Sequence, residues 1–596
     1  MQPFAAWDPM ADGTRRVSEP PQGALALLLS ISRLDSQDGP SLRPSHLSLD
    51  APVVTDLGAS DGAEVAALTT RAVPTSTPTL ERQPTSFDLA VTEARPARPS
   101  RFRLRGTSRW ALAGIVLVQL ALSLRLVWSN TAFGDEALYL WAGHLELSHW
   151  RHGGAVPAFA MYFSGAPVIY PPIGAVADSF GGLAAARLLS LGFMVAATML
   201  LYCTASRLLP DRLGALYAAT CFAILGPTES LAFATYDAMA LMLIALAAWC
   251  VVRAADARAP ELFLIGAGLV LAVANATKYA SALWDPVVLA LAVAAFWHSG
   301  SLRRWLPAAR LGLYAGAMLA LALFLFGGPT YVHGLLITTL SRASGTASTL
   351  PVIGAAFDYV GPVAVLSALG ALASLRFSPR LRFLCIACAA ACWLGPLNQA
   401  RIHTLTSLHK HSDFGAWFAA ISAGYAVAAA RKLQRERSWR IAVAVGLIVP
   451  LALIAFNVSG DVYRWAPAEP ILAHLGPLLR DRTAHYLLDP ESASLAYYYL
   501  HAEIYPGEIN QIQCTWWDPV AGHELYGRAG CEASIKAGYY QVVETDDAAN
   551  GPDGTPGEEA VWRAIAASHS YRLVYRAPEP YHPHDFIQIW VLKGGP

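Results

Sequence analysis

Between residues 110 and 456 the chain repeats one pattern: an apolar run, a short cluster of arginines, then another apolar run. About 20 apolar residues suffice for a helix to cross a bilayer. In lipid only helices and closed barrels satisfy every backbone N–H and C=O, so runs of this length dictate a polytopic α-helical membrane protein. Spans are expected at 110–128, 183–206, 213–227, 236–252, 262–276, 280–297, 311–327, 356–375, 383–396, 414–430 and 441–456, about eleven in all. With 55% hydrophobic and 14% charged residues, the chain is far from the roughly 25% charge of a soluble domain. A net charge of +0, with the basic residues dispersed between apolar runs, excludes nucleic acid as the partner.

The arginines also predict an orientation. RFRLRGTSR at 101–109 precedes the first run and places its start in the cytoplasm. Alternate loops then carry Arg207 and Arg212, Arg253 and Arg258, Arg303, Arg304 and Arg310, Arg376, Arg380 and Arg382, and RKLQRERSWR from Arg431. The intervening loops carry far fewer basic residues: Arg151, Lys278, Arg342, and the pair Arg401 and Lys410. An odd number of spans puts the C-terminus outside, in the same compartment as the long first loop, 129–182.

Three regions follow. Residues 1–100 are rich in Ala, Pro, Ser, Thr and Arg without periodicity, and read as a disordered cytoplasmic tail or as the product of a misassigned start. Residues 101–457 form the transmembrane domain. Residues 458–596 lose hydropathy and alternate strand-like runs (AHYLLD from Ala484, YYQVVE from Tyr539, YRLVYR from Tyr571, FIQIWVL from Phe586) with helical ones (SASLAYYYLHA from Ser492, EEAVWRAIAAS from Glu558). That pattern predicts a small extracytoplasmic α/β domain. Cys514 and Cys531 fall within it, and in an oxidising compartment a disulfide is favoured. The other six cysteines lie in apolar runs as small hydrophobes, and Cys385 and Cys388 form a CxxC only formally.

The candidate chemistry centres on FGDEALYLWAGH at 133–144, where Asp135 and Glu136 stand together just past the first span. Carboxylates at a membrane boundary are costly unless used, although both would also suit the start of an interfacial helix near Ala137. Asp237 opens a later span, where helix capping is the plain alternative. Lys278 stands alone at a helix junction and either snorkels or meets an anion. NQARIHTLTSLHKHSDFGAW at 398–417 brings Arg401, His403, His409, Lys410 and His411 into one outer loop, a phosphate site or a solvated turn. His144, His149 and His152 lie close together but match no zinc spacing. Trp516 to Pro519, WWDP, could stack on sugar or build a small core.

DEALYLW after the first span, YPPIG at 170–174, ARLLSL at 186–191, TYDAMALMLIALA at 235–247 and ATKYA at 276–280 together resemble the GT-C glycosyltransferases. Within them, the nearest group is the dolichyl-phosphate-mannose protein mannosyltransferases and ArnT-like transferases, glycosyltransferase family 39 in the broad sense. The resemblance implies a polyprenyl-phosphate sugar donor, a protein, glycan or lipid acceptor entering from outside, and Asp135 as catalytic base. It also implies an acid at Asp237 facing the same cavity. The chemistry asks for the same base, since an attacking hydroxyl must lose its proton while the lipid phosphate leaves already ionised. Inversion at the anomeric carbon is then expected, with Glu136 orienting Asp135 or capping its helix. Lys278, Arg401, Lys410 and His411 are the expected donor-phosphate ligands. No cofactor is required by this chemistry, and a divalent cation stays open because some relatives use one. Mannose is the first expectation for the sugar, and a bacterial plasma membrane the expected location. The alternative is a membrane transporter or flippase for a lipid-linked or anionic substrate, which would line the midplane with charge.

Overall fold

The computed structural model describes residues 106–161, 163–297, 302–342, 344–345, 347–433, 437–481, 483–500, 509–511, 515–519, 522–546, 556–578 and 586–594; the expected tail 1–100 lies outside them. The helical part runs α1 (Gly106–Val127), α2 (Gly134–His152), α3 (Tyr170–Leu208), α4 (Arg212–Ala223), α5 (Gly226–Ser230), α6 (Tyr236–Ala254), α7 (Pro260–Thr277), α8 (Asp285–Ala295), α9 (Leu306–Phe326), α10 (Pro329–Thr339), α11 (Thr349–Ser374), α12 (Pro379–Ala391), α13 (Leu394–Arg401), α14 (Leu408–Leu433) and α15 (Arg437–Asp461). Proline stands in the first turn of α7, α8, α9, α10 and α12, where its missing N–H costs no hydrogen bond.

Among the described residues, 8 helical segments are long and apolar enough to cross a membrane: α1, α3, α6, α7, α9, α11, α12 with α13, and α15. The expected eleven spans thus reduce to eight on length and composition. The remaining three runs are helical for other reasons. α4 has only 12 residues, and α8 has 11, following the 3-10 turn Tyr279–Trp284. α14 has 26 residues but opens on LHKHSD. It can do so because protein surrounds it, with every residue from Lys410 to Ala428 buried. Small residues permit this: a Cβ at Gly424 would lie 2.3 Å from the Gly214 carbonyl oxygen of α4, so backbone meets backbone.

The long first loop holds α2 and the opening turns of α3. α3 is broken at Gly181 and Gly182, the latter at φ 62°, a conformation that glycine adopts without strain.

The C-terminal β-sheet-containing domain follows α16 (Ala468–Leu475). Its elements are β1 (Tyr486–Leu488), α17 (Pro490–Leu500), β2 (Ile509–Gln511), β3 (Thr515–Asp518), β4 (His523–Tyr526), α18 (Gly527–Lys536), β5 (Val542–Asp546), α19 (Pro556–Ser568), β6 (Tyr571–Pro578) and β7 (Phe586–Leu592). A five-stranded sheet has the order β2-β1-β5-β7-β6. β1 is parallel to β2 and β5, while β7 is antiparallel to β5 and β6. Leu487, Ile535, Val543 and Val561 fill the core between sheet and helices. The expected strands and helices fall on β1, β5, β6, β7, α17 and α19. The β3–β4 hairpin, which contains Trp516 and Trp517, has no expected counterpart. Trp516 packs edge-on against Tyr539 at 4.9 Å, whereas Trp517 is exposed. Cys531 is disulfide-bonded, and its expected partner Cys514 lies outside the described residues.

Candidate active site

α2 begins one residue before Asp135, so the two acids project from the first turn of one helix into different surroundings. Glu136 is fully buried and accepts four hydrogen bonds. Its Oε1 takes Arg187 Nε at 2.8 Å and the Ala234 amide at 2.8 Å. Its Oε2 takes Arg187 Nη2 at 2.6 Å and the Phe133 amide at 3.4 Å. Arg187, from α3, spends its other donors on the carbonyls of Val127 and Asn130 (Nη1, 2.9 and 2.8 Å) and Thr131 (Nη2, 2.8 Å). All five guanidinium N–H groups are thereby used. A dry pair this fully bonded holds α2, α3 and the 127–131 turn in register, and removing either partner would strand a buried charge.

Asp135 faces the other way. Its side chain is 41% exposed, and its Oδ2 accepts from Lys410 Nζ at 2.7 Å. Lys410 is itself nearly dry, with its ammonium 4.9 Å from the Phe133 ring centre and 5.9 Å from that of Phe233, a cation–π setting. Asp237, at the start of α6, pairs with Lys278 at the end of α7 and accepts from Thr235 Oγ1 at 2.9 Å. Lys278 is fixed by its neighbours: Ala166 N–H donates to the Ala276 carbonyl at 2.7 Å and Tyr279 N–H to the Ser164 carbonyl at 2.8 Å. The two pairs act on each other, since Lys410 and His411 reach Asp237 electrostatically and Asp135 reaches Lys278. The Tyr139 hydroxyl donates to that of Tyr236 at 2.8 Å beside them, and burial raises the Tyr139 phenol well above its ordinary pKa, keeping it protonated.

His411 Nδ1 meets Gln399 Nε2 at 2.7 Å, and the same amide nitrogen lies 2.8 Å from the Thr406 carbonyl. A carbonyl only accepts, so this atom is the amide donor and His411 Nδ1 is its acceptor. The imidazole proton therefore sits on Nε2, which makes His411 a neutral donor.

The structure thus brings together Asp135, Asp237, Lys278, Lys410 and His411 from the ends of α2, α6, α7 and α14. It does not add Arg401, which is exposed and bonds Asn398 on its own helix at 3.1 and 3.3 Å. His144 pairs with Asp178 at 2.7 Å instead of joining a cluster of ligands. Among the described residues no group of three His, Cys, Asp or Glu could hold a metal ion. Asp135 and Asp237 each face an ammonium group. Sequence reasoning missed Arg187, Gln399 and Tyr139. An arginine inside an apolar span was the available signal for the first.

A family model for dolichyl-phosphate-mannose-protein mannosyltransferase matches residues 176–326. No curated protein matches the chain. Among solved structures, the Archaeoglobus fulgidus oligosaccharyltransferase tethered to an acceptor peptide superposes with a TM-score of 0.51 at 12% identity, over 80% of this chain and 73% of that one. The same enzyme in complex with Zn and sulfate gives 0.50 at 13% identity, over 79% and 72%. ArnT from Cupriavidus metallidurans bound to undecaprenyl phosphate gives 0.48 at 13% identity, over 82% and 99%. The chain has the GT-C fold and resembles the enzymes of that superfamily.

Proposed function

We propose that this GT-C-type membrane protein is a glycosyltransferase. It moves a sugar from a polyprenyl-phosphate donor to an acceptor hydroxyl at the extracytoplasmic face of the plasma membrane. The observation that carries the reading is a partly exposed carboxylate, Asp135, clustered with two buried lysines, Lys278 and Lys410. A base open to an acceptor and cations held ready for a phosphate are what such a transfer needs.

In the reaction, Asp135 takes the acceptor's hydroxyl proton as the oxygen attacks the anomeric carbon. The bond from that carbon to the phosphate oxygen breaks, and its electron pair leaves on the polyprenyl phosphate. Lys278, Lys410 and the His411 Nε2–H meet the charge that develops there. Preorganised donors of this kind stabilise a transition state without reorganising, and a positioned base contributes roughly 10²–10⁴-fold. Attack opposite the leaving phosphate inverts the anomeric centre. The matched family model supports mannose as the sugar. The charges sit at helix ends, which supports an enzyme at one face over a transporter with a charged path through the midplane.

The test is to incubate the purified protein with radiolabelled polyprenyl-phosphate-mannose and an envelope extract. Label moving to an acceptor, with polyprenyl phosphate released, supports the reading. Neither transfer nor hydrolysis across several donor sugars would sink it, as would lipid translocation with the glycosidic bond intact.

A further inference from the structure

The N-terminus of α2 is only partly capped from within, by Glu136 accepting from the Phe133 amide. Phe133 occupies the cap position and has no side-chain oxygen to offer the first N–H groups of the helix, which every helix must satisfy from outside its own ladder. One missing acceptor comes from α17, more than 350 residues later in the chain, and a second bond from α17 falls on the residue before the cap. Gly134 N–H donates to Glu491 Oε1 at 3.1 Å, and Ala132 N–H donates to the Tyr499 hydroxyl at 2.9 Å. Ala132 and Gly134 flank Phe133, and Gly134 directly precedes Asp135. The approach is close: a Cβ at Gly134 would sit 3.3 Å from Glu491 Cγ, so the Glu491 side chain would have to give by a few tenths of an ångström. A carboxylate there also complements the positive end of the helix dipole.

The rest of α17 is docked onto the same two helices. Tyr497 stacks on Trp141 with ring centres 4.3 Å apart and planes at 8°. The Tyr498 hydroxyl donates to Asp178 Oδ1 at 2.6 Å, and the other oxygen of that carboxylate meets His144. Those contacts hold the middle of α2 and the start of α3. Glu491 and Tyr499 reach the backbone beside the acid.

We infer that Glu491 and Tyr499 of the C-terminal domain are positioning residues that cap the catalytic helix from a distance and set the aim of the Asp135 carboxylate. The inference rests on Asp135 being the base. Misplacing a reacting group by about 1 Å costs roughly 10²-fold, so partial loss of the clamp should cost about tenfold.

Full-length Glu491→Ala, Tyr499→Phe and the double variant test this, with Glu491→Gln as the conservative control because its amide oxygen still accepts from Gly134. Two readouts are needed: kcat and donor KM in the transfer assay, and amide hydrogen exchange of a peptide covering residues 131–138. The expected result is faster exchange in that peptide and a kcat lowered about tenfold at unchanged donor KM, with Glu491→Gln restoring both. Unchanged exchange overturns the clamp. Faster exchange with unchanged kcat, or a loss confined to KM, overturns its positioning role. Exchange requires no turnover, so an inactive wild-type protein whose variants exchange faster indicts the proposed reaction while the clamp stands.

Discussion

The junction around Glu136 and the cluster around Asp135 share one helical turn, and both are built on ion pairs. They differ in what is left over once the pairs are made. At the junction Arg187 spends all five N–H groups and Glu136 accepts four bonds, so neither has capacity for a substrate. In the cluster each lysine meets one carboxylate, the Asp135 side chain is 41% exposed, and His411 carries an N–H its protein partner does not use. Saturated pairs fix geometry; unsaturated ones can trade partners with a phosphate or a hydroxyl. Adjacent acids can therefore take separate duties, with Glu136 fixing the helix that carries Asp135.

The comparison can be broken most severely at Arg187. Arg187→Ala strands Glu136 in a dry site and should cost about 3–5 kcal/mol, enough to lose folded protein, read as the melting temperature and yield in detergent. Asp135→Asn should cost much less stability than Arg187→Ala, since the Asp135 side chain is 41% exposed and an amide oxygen can still accept from Lys410, while transfer falls roughly 10²–10⁴-fold. Lys410→Met sharpens the cluster side: it frees Asp135 but removes one cation from the leaving phosphate, and a loss of about 10²-fold in kcat is expected at near-constant stability. Arg401→Ala should do least. Its side chain bonds only its own helix, and an exposed change of this kind falls within about 0.5 kcal/mol, so a transfer rate below half of wild type would contradict the placement.

How much of this was legible in the sequence follows from what each feature depends on. Apolar runs and arginine clusters are local signals, so the helices were readable, as were the strand runs of the C-terminal domain. The count of spans was not, because apolar runs at 213–227, 280–297 and 414–430 suggest crossings, whereas α4 and α8 have 12 and 11 residues and α14 opens on LHKHSD. Asp135, Asp237, Lys278, Lys410 and His411 stood out as ionisable residues at helix boundaries. The division between Asp135 as base and Glu136 as helper or cap came with the family resemblance, but its structural cause did not stand out, since it depends on Arg187 arriving from 51 residues away. Nor did the exclusion of Arg401, which turns on a rotamer. Most remote is the cap from Glu491, because nothing near Gly134 announces a partner 357 residues later.

The central claim is that Asp135 is the acid that does chemistry. The most direct measurement is single-turnover transfer from labelled polyprenyl-phosphate-mannose by purified Asp135→Asn, with polyprenyl-phosphate affinity measured on the same sample. The account predicts wild-type lipid-phosphate affinity and transfer slowed at least about 10²-fold. A folded Asp135→Asn protein that binds the lipid phosphate and transfers the sugar at the wild-type rate would contradict it.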